Sequence, residues 1–416
     1  MQLLVGPVQP YAWGDDHFIA DLQGRPTGTG PEAELWLGAH QGGPGVLAGD
    51  GRGLSETIAE HGSELLGPAV KERFGGLPYL VKVLAAAEPL SIQTHPSLSQ
   101  AQAGWQREQQ AGIAWDDPQR NYRDPNHKPE LICALTTFEA KCGFRALPST
   151  RALFAALAAA TPGSQGLSHL ASLLAGPGAP PEVLAGVLAW LVRLEPGAAT
   201  ALVAETDAAA AHLLNSGGAT MDGQGFEPEL RWTAKLGEFH PNDAGVVVAL
   251  LLNHVVLAPG QAMFLPAGNL HSYLHGAGVE VMASSDNVIR GGLTVKHVDA
   301  EELLAVVDHA PREPMVQTHS GSAHRYHAPV ADFSLQRLSR GFDGLLEPVG
   351  PEIILVTEGT AVLRPGSGAA ECVVGRGQAA FVAWCDGQYR ATLSPNAVVW
   401  RAAVGDLAFP LQSTSE

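Results

Sequence analysis

The chain has 416 residues, enough for two or three domains with a large core, and only 16% are charged against 45% hydrophobic, which excludes a disordered chain. Its 25 Lys and Arg face 42 Asp and Glu, a formal charge of −17, so neither nucleic acid nor an acidic membrane surface is an expected partner. Four cysteines (Cys133, Cys142, Cys372, Cys385) without CxxC spacing are too few for a disulfide framework and fit a reducing cytoplasm.

Residues 1 to 148 alternate short apolar runs, such as Tyr79 to Leu84 and Ile132 to Phe138, with Gly, Pro and Asp, which predicts a β-rich segment. Met1 to Gly14 carry no basic, apolar leader, so no secretion signal is expected. From Ser149 the texture changes. Arg151 to Ala160 and Ala198 to Leu214 are alanine-rich and free of proline, and between them Val183, Leu184, Val187, Leu188, Leu191 and Leu194 recur at helical spacing from Pro181 to Pro196. Residues 149 to 239 therefore read as a helical insertion. After Asn242, the runs Val246 to Leu252, Asn253 to Leu257 and Ala262 to Leu265 read as strands, and none approaches the roughly 20 residues that cross a bilayer.

One short repeat follows. Gly260-Gln261-Ala262-Met263-Phe264-Leu265 recurs 117 residues later as Gly377-Gln378-Ala379-Ala380-Phe381-Val382, which predicts two related β modules.

The chemistry begins at Gln93-Thr94-His95. On a strand the period of two puts an amide oxygen and an imidazole on one face, where both can reach one metal ion. A carboxylate candidate, Glu130, follows Pro129 in His127-Lys128-Pro129-Glu130. Gly260, Pro266, Gly268 and His271 have a spacing that resembles the second signature of the cupin family, whose histidine binds metal inside a small jelly roll; His275 stands where that signature usually has asparagine. One Gln oxygen, two histidines and one Glu form a mixed set suited to zinc, with other divalent ions open. Arg290, followed by two glycines, is placed to meet a ligand that a bulkier neighbour would block.

The strings Tyr11-Ala12-Trp13-Gly14, Glu34 to Gly38, Lys82-Val83-Leu84, Leu90 to Pro96, Asn126 to Glu130 and Ser285 to Thr294 resemble the type I mannose-6-phosphate isomerase family, in the family's order. The resemblance implies a fold that is mainly β with an α-helical insertion: two cupin-like jelly-roll modules plus a helical domain. Residues 1–148 together with 240–320 would form the catalytic domain, 149–239 the helical insertion domain, and 321–416 a C-terminal cupin-like β domain. That last module should bind no metal, because Ala383-Trp384-Cys385-Asp386 stand where the metal signature would fall.

By the same resemblance the chain interconverts mannose 6-phosphate and fructose 6-phosphate with one Zn2+ per chain, held by Gln93, His95, Glu130 and His271. Arg290 would lie beside the reacting carbons with Lys128 nearby, Ser91, Lys82 and Lys296 would hold the phosphate, and Trp13 and Tyr273 would wall the cleft. The family usually continues after His95-Pro96 with an acidic residue and a lysine, whereas this chain has Ser97-Leu98-Ser99. The reaction would pass through an enediol, with Glu280, His127, Lys128 and a metal-bound water all open as the proton-moving base. The only partner expected is a small sugar phosphate. A monomer is expected, with a homo-oligomer left open. The alternatives are another metal-dependent cupin enzyme, either an oxygenase or a sugar-phosphate epimerase, and a sugar-binding cupin without catalysis.

Overall fold

A computed structural model of the chain describes residues 1–221 and 224–409. The secondary structure is 31% helix and 29% strand, so the fold is mixed helix and sheet rather than mainly β. The first part of the chain holds strands β1 (Gln2–Val5), β2 (Glu34–Leu37), β3 (Tyr79–Ala86), β4 (Ile92–Thr94), β5 (Glu130–Ala134) and β6 (Phe138–Phe144). Besides a short helix at Phe18–Leu22, three longer helices interrupt them: α1 (Leu54–Leu66), α2 (Pro68–Phe74) and α3 (Leu98–Gln110). Their start signals are local. Pro68 sits in the first turn of α2, and Ser97 and Gln100 form a reciprocal capping box at the start of α3.

Helices α4 (Leu147–Ala160), α5 (Gln165–Ala175), α6 (Pro180–Val192), α7 (Pro196–Ser216) and α8 (Glu227–Phe239) follow. They bury Leu153, Leu170, Leu184, Leu188, Leu202 and Leu230 in one shared core. No single helix among the described residues is long and apolar enough to cross a membrane. The run Val246 to Leu252, expected as a strand, is helical from Gly245 to Leu251 and becomes extended only at Leu252. It is buried on all sides against the helical core, and an apolar run without alternation cannot reveal its period.

The chain then returns to sheet with β7 (Leu252–Leu257), β8 (Gln261–Leu265), β9 (His271–Ala283) and β10 (Ile289–Gly292). Strand β9 organises this half. Its first residues pair antiparallel with β4 and β6, and its second half, Gly276–Ala283, runs between β3 and β5. The change of partner falls at Gly276, where φ is +111° and an added Cβ would lie 2.4 Å from the Thr137 carbonyl oxygen. Only glycine fits there without strain.

The last segment adds β11 (Ser334–Ser339), β12 (Glu352–Glu358), β13 (Ala379–Val382) and β14 (Val398–Ala403), in a sheet that β1 joins by pairing with β13. The N-terminal strand thus lies in the sheet of the C-terminal module, whose expected end, 410–416, falls outside the described residues. The two β regions share a core in which Val81, Val83, Leu131, Val279 and Val281 meet Leu335, Ile353, Phe381 and Trp400. This packing decides which way β3 faces: its odd positions point to that shared core, and Lys82 points to the opposite side. Both repeat copies form the same turn, with Gly260 and Gly377 at positive φ, and each copy leads into a strand. In the second copy Asp386 accepts from the N-terminal amine of Met1 at 2.8 Å, where the first copy continues to His271.

One buried group is poorly accommodated. Lys141 on β6 is fully buried opposite His254, its Nζ has no hydrogen-bond partner, and burial followed by repulsion from Arg145 pushes its pKa down to about 7. The unfolded chain, with a lysine pKa near 10.5, holds the extra proton across pH 7 to 10.5. Stability therefore rises with pH through that window, and the penalty is complete below it. Lys141→Met should raise the thermal midpoint at pH 6.5, a gain on the order of 3 kcal/mol, with the gap closing toward pH 10. A gap that does not change with pH would contradict this reading.

Candidate metal centre and active-site cleft

His95 follows β4, Glu130 opens β5 and His271 opens β9, and each is at least 98% buried. One ligand atom from each lies within 4.8 Å of the others. His95 Nε2 is 3.3 Å from Glu130 Oε1, and His271 Nε2 is 3.4 Å from Glu130 Oε2. His95 Nε2, His271 Nε2 and Glu130 Oε2 have no hydrogen-bond partner. Buried polar atoms are nearly always satisfied, so three that point together without partners mark a place for a cation.

The other ring nitrogens fix the tautomers. His95 Nδ1 donates to the Asn287 carbonyl at 2.7 Å and His271 Nδ1 donates to the Asn269 carbonyl at 3.0 Å, which leaves both Nε2 lone pairs free. Burial pushes the His95 pKa down to about 4, so its imidazole is neutral at neutral pH. Burial opposes ionisation of Glu130, but His95 and Lys128 reverse this and hold the carboxyl well below its usual range. Lys128 Nζ lies 3.2 Å from Glu130 Oε1. Gln93 is the antiparallel partner of both His271 and Arg290, which puts its amide on their face. Two imidazoles, a carboxylate and an amide oxygen suit a zinc ion.

Beside this group lies a buried chain of charge. Glu280 accepts from the Tyr273 hydroxyl at 2.9 Å and lies 3.4 Å from Lys82 Nζ. Lys82 is equally close to Glu34, whose other oxygen accepts from Trp36 Nε1 at 2.7 Å. Burial, then repulsion from Glu130, pushes the Glu280 pKa up, against Lys82. Burial would strip Lys82 of its proton, but Glu34 and Glu280 outweigh it and raise its pKa.

A cleft of about 730 Å3 is lined in part by His40, Arg123, Asp124, Asp286 and His127, the last of which lies three residues before Glu130. His127 Nε2 is 3.0 Å from Asp332 Oδ2, which ties the loop before Glu130 to the C-terminal module. His40 Nε2 is 3.3 Å from Asp286 Oδ1. Burial opposes ionisation of Asp286, yet His40 and Lys128 hold it below its ordinary value.

The residues expected from the sequence fall into three groups. His95, Glu130 and His271 converge, with Gln93 and Lys128 beside them. Arg290 is the register partner of Gln93, burial and then repulsion from Arg290 lower the pKa of Lys296, and Ser91 immediately precedes β4, two residues before Gln93. Lys82, Tyr273 and His127, expected at the phosphate, the cleft wall and the proton, each have a partner within the protein. Lys82 is already paired with two carboxylates, Tyr273 is 2% exposed and bound to Glu280, and His127 is held by Asp332. Trp13 packs against the hydrophobic cluster that contains Tyr273. Ser97, part of the departure from the family pattern, caps α3. Glu34, Asp286 and Arg123 carried no assignment. Glu34 and Trp36 two apart on a strand, and Arg123 just ahead of His127 to Glu130, were the available signals.

A family profile described as phosphomannose isomerase type I, catalytic domain, matches residues 1–147. Mannose-6-phosphate isomerase from Escherichia coli (strain K12) is 39% identical over 398 residues, 92% of this chain and 95% of that protein. A point mutant of phosphomannose isomerase from Salmonella typhimurium superposes with a TM-score of 0.85 at 34% identity, over 97% of this chain and 99% of that one. A zinc-bound mannose 6-phosphate isomerase superposes at 0.83 with the same identity and coverage.

Purified His271→Ala protein should lose zinc on dialysis, and Gln93→Ala should bind it at least about 10-fold more weakly, both read by metal analysis and chelator competition. Full zinc retention by His271→Ala would contradict the assignment.

Proposed function

The chain belongs to the type I mannose-6-phosphate isomerase family, and from that premise we propose how its cleft performs the reaction. It is a zinc-dependent enzyme that interconverts mannose 6-phosphate and fructose 6-phosphate. The observation that carries this reading is the trio of unpartnered ligand atoms on His95, Glu130 and His271. Gln93 completes the set. Zinc held by these four groups supplies a positive centre that polarises the two vicinal oxygens at C1 and C2 of the open-chain sugar.

Glu280 is the base in this proposal. Its carboxylate removes the C2 proton of the aldose and returns it to C1 while the hydroxyl proton of O2 passes to O1, so that by way of an enediol C1 becomes an alcohol and C2 a ketone. Burial and the nearby Glu130 bring its pKa closer to the working range, and Tyr273 and Lys82 hold its orientation. Of the other side-chain bases considered, His127 is engaged by Asp332 and Lys128 by Glu130. Lys128 and Arg290 stabilise negative charge that develops on the enediol oxygens, a role that suits a guanidinium because it stays protonated. Lys296 and Ser91 reach the phosphate. Lys82 is assigned to Glu280 rather than to the substrate.

We read the two β regions as cupin-like jelly rolls, with residues 1–148 and 240–320 forming the catalytic domain, 149–239 the helical domain and 321–416 a module without metal. Every group named comes from one chain, which supports a monomeric active unit. The four cysteines are free, which suits the cytoplasm. Neither another cupin chemistry nor a non-catalytic sugar binder is favoured by any feature of the site.

A coupled assay should show turnover of mannose 6-phosphate that a chelator abolishes and zinc restores; no turnover by zinc-replete protein would contradict the function. Arg290→Ala should lower kcat by about 100-fold or more while zinc content stays unchanged. Turnover within a few-fold of the parent enzyme would remove Arg290 from the reacting centre.

A further inference from the structure

Many arginines on this acidic chain form ion pairs, as Arg193 does with Glu301, Arg390 with Asp343 and Arg401 with Glu352. Arg123, which lines the cleft, and Arg290 and Lys296, which lie within its electrostatic reach, form no ion pair with a carboxylate among the described residues. Burial, then Arg123, lowers the pKa of Arg290; burial, then Arg290 and Arg123, lowers that of Lys296. Asp124 and Asp286 line the same cleft without pairing with Arg123, and cations that repel one another without an ion pair of their own favour a bound anion.

The guanidinium of Arg123 is held ready for such an anion. Its Nη1 donates to the Trp115 carbonyl at 3.0 Å and its central carbon lies 5.3 Å from the Trp115 ring centre, leaving its other N–H groups without a protein acceptor among the described residues. Its backbone N–H donates to Asn287 Oδ1 at 2.8 Å, and Asn287 Nδ2 donates to the carbonyls of Asp124 and Asn126. The carbonyl of the same Asn287 receives His95 Nδ1, and Arg290 follows three residues on. One asparagine therefore fastens the segment bearing Arg123, the strand bearing Arg290 and a ligand of the metal group, which fixes the spacing between anion and metal. A guanidinium fixed in this way can bind phosphate through two parallel hydrogen bonds.

Resting on the isomerase reading above, we propose that Arg123 is a second phosphate-binding cation, which grips the phosphate of the sugar together with Lys296 while Arg290 stays at the reacting carbons. It acts on affinity for the phosphorylated end of the substrate and not on the proton transfer.

The test uses full-length, zinc-loaded Arg123→Ala and Arg123→Lys proteins. Expected for Arg123→Ala are a KM for mannose 6-phosphate raised by about 10- to 100-fold, a smaller change in kcat, and a parallel weakening of competitive inhibition by inorganic phosphate. Zinc content and thermal midpoint should stay at the parent values, and Arg123→Lys should recover part of the affinity. KM and phosphate inhibition within twofold of the parent would overturn the proposal, as would equal losses of zinc or thermal stability in both variants, which would make Arg123 a packing residue. Calorimetric binding of inorganic phosphate needs no turnover and separates the two readings. Phosphate binding that depends on Arg123 in a protein inactive on mannose 6-phosphate would sink the isomerase reading and leave the anion site standing.

Discussion

Two imidazole nitrogens and one carboxylate oxygen, sealed from water and without a partner in the protein, set the terms for the structure around them. Leaving a buried polar atom unpaired is unfavourable by about 1–3 kcal/mol, and leaving an ionised one unpaired by more. The fold nonetheless spends hydrogen bonds on orienting these groups and none on satisfying them: the carbonyls of Asn287 and Asn269 turn both imidazoles so that their free lone pairs face Glu130. The arrangement makes sense only with a cation at its centre. Lys128, 3.2 Å from the carboxylate, keeps Glu130 charged and ready.

A single long strand brings the chemistry together. From His271 at one end to Glu280 near the other, β9 pairs with the strands that carry Gln93, Glu130 and Lys82, and the turn of its path at Gly276 lets it serve two sheets. Antiparallel register puts these side chains on one interior face, while the opposite face is packed against the C-terminal module. In the proposed reading Lys128, Arg290, Lys296 and Arg123 act on the anionic substrate at short range, where placement counts for more than a net charge of −17.

Much of the site was legible in the sequence because its residues sit in short strings with clear periods, such as Gln93-Thr94-His95 on a strand and His271 after a Gly-Pro-Gly turn. The helical stretch was legible from the spacing of Val183 to Leu194. What the sequence concealed was contact between distant segments. Nothing local to Gln2–Val5 announces that it pairs with Ala379–Val382, or that Asp332 holds His127. Lys82 looked like a free cation until its strand neighbours supplied Glu280 and Glu34. Val246 to Leu252 misled because complete burial erases alternation, and the capping box of Ser97 and Gln100 passed unread inside a segment taken as β.

The claim on which the rest stands is that one zinc ion lies among four side chains drawn from three separate strand segments. Anomalous diffraction at the zinc edge on crystals of the zinc-loaded protein addresses it directly. The account predicts a single strong peak about 2.0–2.2 Å from His95 Nε2, His271 Nε2, a Glu130 oxygen and the Gln93 amide oxygen. A peak elsewhere, or sulfur from any of the four cysteines among the ligands, would contradict it.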